Sequence, residues 1–101
     1  MSSLESPEWQ PPDSSPDEII RGYSKLVRSI PGVKVWARID GARVHFITAV
    51  PDMRESERAA YSAELELMDI YGSDVVSFDL YRASLPPEEA SAEAHLVLSS
   101  T

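Results

Sequence analysis

The stretch VKVWARIDGARVHFI, residues 33–47, alternates apolar and polar side chains on both sides of Asp40-Gly41. A period of two, rather than 3.6, marks half-buried strands. Asp-Gly between two such runs is a hairpin signal, because both residues tolerate the positive φ of a type I′ turn. That turn pairs Ile39 with Ala42, Ala37 with Val44, Val35 with Phe46 and Val33 with Thr48. Val33, Val35, Ala37, Ile39, Val44 and Phe46 then share one face, which is the candidate core face. The opposite face carries Lys34, Trp36, Arg38, Arg43, His45 and Ile47. In this register Trp36 lies opposite His45, Arg38 opposite Arg43 and Lys34 opposite Ile47.

Helical patterns flank the hairpin on both sides. Before it, Ser15 followed by Pro16 and Glu18 reads as an N-cap, a first-turn proline and the third position of a capping box. Ile19, Ile20, Tyr23, Leu26, Val27 and Ile30 recur at helical spacing, and Pro31-Gly32 ends the pattern. After it, Asp52 with Glu55, or alternatively Ser56, opens a second helix that stops at Gly72. Ala60, Tyr61, Leu67, Met68 and Tyr71 are its expected core residues. Residues 75–82 alternate again and predict a third strand, with Ser77, Asp79 and Tyr81 on the face of Trp36. Residues 84–93 form a Pro, Ser and Glu-rich loop, and the closing AHLVLSS predicts a short fourth strand.

The expected fold is α+β: a two-layer sandwich of order α-β-β-α-β(-β). Two helices cover one face of an antiparallel or mixed sheet of three to four strands. Residues 15–101 form this single domain. Residues 1–14, with three prolines, four serines and three acids, read as a flexible acidic tail in which Trp9 is a possible anchor. In element order, residues 15–82 resemble ferredoxin-like folds and are similar to the cytoplasmic domain of cation-efflux transporters. That resemblance implies pairing of domains and metal binding through His and carboxylate ligands; of such ligands only His45 is a histidine within the matching region. The layout is also similar to that of short bacterial proteins whose role is open.

Composition narrows the function classes. The 101 residues include no cysteine, which removes disulfides, thiolate metal sites and cysteine nucleophiles and fits a reducing cytoplasm. No apolar run approaches the ~18 residues of a membrane span. MSSLESPEWQ lacks the basic and apolar regions of a secretory signal. The net charge of −8 argues against general nucleic-acid affinity. Charge is uneven, however. Residues 33–50 hold Lys34, Arg38 and Arg43 against Asp40, a net +2 that leaves −10 for the rest.

The candidate interaction residues are therefore Lys34, Trp36, Arg38, Arg43, His45 and Tyr81, on a sheet face that no predicted helix covers. Arg38 against Arg43 is repulsive unless an anion such as Asp79 intervenes. Glu64 falls within the apolar arc of the second helix and is a candidate buried carboxylate, expected to pair with a cation of the first helix or a tyrosine hydroxyl. His45 and His95 show no metal-ligand spacing, and no phosphate loop or nucleophile elbow is present, so no metal, cofactor or catalytic residue is assigned. The reading that follows is a non-catalytic protein-interaction module, a homodimer or the partner of another protein. The alternatives are a weak nucleic-acid or anionic-ligand binder using the same face, and a small enzyme built on Glu64.

Overall fold

Ser15 starts the first helix as its sequence dictates. In the computed structural model, which describes residues 15–100, its side chain accepts a hydrogen bond from the backbone N–H of Glu18 at 3.3 Å. Pro16 occupies the first turn of α1 (Pro16–Val27). The Glu18 carboxylate accepts from Arg21 at 3.0 Å. Ile19, Tyr23 and Val27 are buried, and Ile30 follows them into the core just past the helix. Gly32, at φ +75°, turns the chain into β1 (Lys34–Asp40), which pairs antiparallel with β2 (Arg43–Val50).

The turn sits one residue later than expected. Gly41 and Ala42 form it, and Asp40 opposes Arg43. Gly41 has φ +65° and Ala42 is not in the positive-φ region, which is the requirement of a II′ turn rather than I′. The register therefore shifts by two residues along the partner strand. Trp36 opposes Ile47, Arg38 opposes His45 and Lys34 opposes Ala49. The expected pairs Trp36–His45, Arg38–Arg43 and Lys34–Ile47 do not form. A shift of two preserves side-chain parity, so each residue keeps its expected face. Ile39 shares the core face but lies beside the turn and is half exposed.

After β2 comes α2 (Arg54–Tyr71). Its N-cap is Met53, without a side-chain hydrogen bond, and neither Asp52 nor Ser56 serves. Asp52 instead accepts from Arg82 at 2.8 Å, and the same guanidinium donates to Glu57 in the first turn of α2 at 3.2 Å. Ser56, Ala60, Ala63, Glu64 and Leu67 form the buried stripe. Tyr61, expected in the core, points outward because the stripe is centred 100° away, on Ala60 and Leu67.

The chain then adds β3 (Val76–Arg82) and β4 (His95–Ser99) to a four-stranded mixed sheet of order β3-β2-β1-β4. β3 runs parallel to β2, and β4 runs antiparallel to β1 with a bulge at Val97. Tyr23, Phe46 and Phe78 cluster at the centre of the core, with ring centroids 4.5–5.6 Å apart. The Tyr23 hydroxyl and Thr48 Oγ1 share a buried hydrogen bond of 2.7 Å.

Strand directions decide what lies on the other face. β2, β3 and β4 all point the same way, and parallel crossovers are right-handed. The crossover from β2 to β3 uses α2 and moves toward one edge. The connection from β3 to β4, residues 83–94, moves toward the opposite edge, so the same handedness puts it on the face without helices. Burial agrees. Ile47 and Ala49 point away from the helices yet are 0% and 1% exposed, while Pro86, Ala90, Ser91 and Ala94 of the connection are partly buried. The open face is thus strapped across part of its area.

Among the described residues no helix is long and apolar enough to cross a membrane. The expected tail, residues 1–14 with Trp9, lies outside the described residues, as does Thr101.

Candidate functional site

Register fixes the face opposite the helices as three rows across the sheet. One row runs Ser99, Lys34, Ala49, Tyr81, and the next runs Leu96, Trp36, Ile47, Asp79. The third runs Arg38, His45, Ser77, with Asp40 and Arg43 beside it at the turn. Of the candidates read from sequence, Arg38, Arg43 and His45 come together at the turn. Lys34 and Tyr81 lie at the other end of the strands, separated by Ala49. Trp36 is half-buried in the middle row between Ile47 and Leu96, and Leu96 is 54% exposed.

The parallel pairing of β2 with β3 creates the most specific geometry of this face. His45 Nδ1 lies 2.7 Å from Ser77 Oγ, and His45 Nε2 lies 2.8 Å from Asp79 Oδ2. An ionised carboxylate only accepts, so Nε2–H donates to Asp79. In neutral imidazole Nδ1 then accepts, and the Ser77 hydroxyl donates to it. Arg38, Asp40, Arg43, His45 and Ser77 line a solvent-open pocket of about 220 Å³ at the turn end. Neither Arg38 nor Arg43 makes an ion pair among the described residues. Asp79, expected between the two arginines, is taken up by His45 instead.

Alternation alone places Ser77 and Asp79 on this face. Their chain through His45 is not readable from sequence, because it depends on β3 lying parallel beside β2. A hydroxyl–imidazole–carboxylate chain is also how hydrolases activate serine. That chemistry additionally needs N–H donors converging on an oxyanion within a cleft. Ser77 lies mid-strand on a sheet face, with guanidiniums as its charged neighbours.

Glu64 is buried as expected, at 5% exposure, but without the expected partner. Its Oε2 has no hydrogen-bond partner among the described residues, and the Tyr23 hydroxyl is committed to Thr48. Burial, and secondarily the charge of Asp79, push its pKa up to about 7. Burial also drives the Tyr23 phenol well above its ordinary range; the Thr48 hydrogen bond opposes this and the Glu64 charge adds to it. The groove beside α2 is lined by Glu57, Arg58, Tyr61 and Leu80 and does not include Glu64. Among the described residues no group of three or more His, Cys, Asp or Glu is placed to hold a metal ion, and His95 is exposed at the start of β4.

No protein-family model, curated protein or solved structure matches this chain.

Proposed function

We propose that the protein is a non-catalytic interaction module that self-associates through the turn end of its open sheet face. The observation that carries this reading is the pair Arg38 and Arg43, two guanidiniums without an ion pair among the described residues in a chain of net charge −8. Trp36 and Leu96 lie in the adjoining row and add apolar area beside the charges. Aromatic and arginine side chains are the commonest anchors of protein interfaces.

A second copy has the complementary chemistry. Outside residues 33–50 each chain carries −10, so an acidic surface of one copy can meet the cationic turn end of the other. At about 0.1 M salt, repulsion between the two acidic chains is screened beyond roughly 10 Å, while charges in contact still attract.

Light scattering over a concentration series tests this. The expected result is a mass approaching twice that of one chain, reverting to a single chain in Trp36→Asp and in Arg38→Glu. A monomer at every concentration, unchanged by Trp36→Asp, overturns it.

A further inference from the structure

Asp79 and Ser77 hold His45 from β3, Arg38 opposes it from β1, and Arg43 and Asp40 stand beside it at the turn. With neutral imidazole, the Ser77 proton is committed to Nδ1 and the hydroxyl turns only its lone pairs to the pocket. Protonating Nδ1 reverses that bond: His45 donates to Ser77, and the hydroxyl is free to donate into the pocket. The added charge is compensated on one side by Asp79 at 2.8 Å. On the other side it meets Arg38 and Arg43, which oppose it as long as they have no counter-ion. An anion between the guanidiniums removes that opposition and gains both a charge and a donor.

We propose that this pocket is a proton-coupled oxyanion site. Arg38 and Arg43 hold a carboxylate, sulfate or phosphate group beside Ser77, and its binding draws one proton onto His45. Planar guanidiniums suit such groups because they donate in pairs. By reciprocity, the anion raises the affinity of His45 for its proton by the factor by which the proton raises affinity for the anion. The site shares the face proposed for self-association but needs only one copy of the chain, so the two ideas fail separately.

The test is calorimetric titration of the dilute full chain with sodium sulfate, a dianion across the range, at about pH 5.5 and about pH 8, which span imidazole titration. Each condition is run in two buffers of different ionisation enthalpy. Binding of one sulfate per chain is expected, roughly tenfold tighter at the lower pH, a coupling of ordinary size. A third titration near pH 7 should show fractional proton uptake, at most about half a proton per anion for a tenfold coupling. Arg38→Gln with Arg43→Gln should abolish binding, with the fold checked by circular dichroism. His45→Asn should keep weak binding without pH dependence. Sodium acetate in a parallel titration separates carboxylate from tetrahedral preference.

Glu64 approaches Asp79 electrostatically from the helix side and its pKa is pushed up to about 7, so Glu64→Gln is the control and should leave the pH dependence intact. Trp36→Asp should bind sulfate as the parent does, whether or not the parent self-associates. No saturable binding at either pH, or binding indifferent to the two arginines, overturns the site. A pH dependence that survives His45→Asn and disappears in Glu64→Gln overturns the proton coupling.

Discussion

Glu64 is the residue at which the sequence breaks its own pattern. A carboxylate replaces an apolar side chain in the buried stripe of α2, and its Oε2 has no partner among the described residues. Its pKa rises from 4.5 to about 7, so the folded chain holds a proton that the unfolded chain releases between those values. Stability therefore falls as pH rises through this window, and above about 7 the cost of a buried charge is fully present. At 1.36 kcal/mol per pKa unit the cost is on the order of 3 kcal/mol. Glu64→Gln keeps the shape and removes the charge. Urea unfolding should find the variant more stable than the parent at about pH 8, by up to roughly 3 kcal/mol, and the gap closing as pH falls toward 4.5. Equal stabilities at both ends would mean that the carboxyl reaches water.

At the scale of elements, the hairpin shows how parity and register separate. Alternation of Val35, Ala37, Val44 and Phe46 reveals which face each residue takes, and the structure keeps every one of those assignments. The turn residues are not settled by alternation, because Asp40-Gly41 and Gly41-Ala42 both close a two-residue loop around the same glycine. The second wins, and Arg38 comes to face His45 rather than Arg43. Both directly opposed arginines and a lost II′ glycine are thereby avoided. Gly41 has φ +65° and nothing within 4 Å of a built Cβ, so Gly41→Ala meets strain and no clash. It should cost about 1–2 kcal/mol by thermal unfolding, and Gly41→Asn less, since Asn tolerates that backbone. Asp40→Ala should change stability by less than about 0.5 kcal/mol, as for surface sites in general. In α1 the sequence was sufficient. Ser15→Ala removes the bond to the Glu18 N–H and should cost about 1 kcal/mol in the same assay.

For the whole molecule, the two-layer α+β architecture was legible because each element carried its own periodicity and stop signal. The order of strands was not. Nothing local in VVSFDLYR says that it lies parallel beside β2, yet that placement alone assembles His45, Ser77 and Asp79. Nor does the Pro, Ser and Glu-rich stretch at 84–93 read as anything but a loop. Its path across the helix-free face follows from the parallel directions of β3 and β4 and the handedness of crossovers. Ile47 tests that path. On a bare sheet face an isoleucine would remain accessible, and trimming it would change stability little. Under a strap it is a core residue, with 0% exposure, although no helix lies above it. Large-to-small substitutions in cores cost about 2–5 kcal/mol for Ile→Ala. A domain of this size has about 5–15 kcal/mol in total, so Ile47→Ala should lower the urea midpoint substantially. Val44→Ala, on the helix-covered face, should fall in a similar direction with a smaller loss, since fewer methyl groups are removed. A change below about 0.5 kcal/mol for Ile47→Ala, beside a clear loss for Val44→Ala, would place residues 83–94 away from this face and leave the whole of it open.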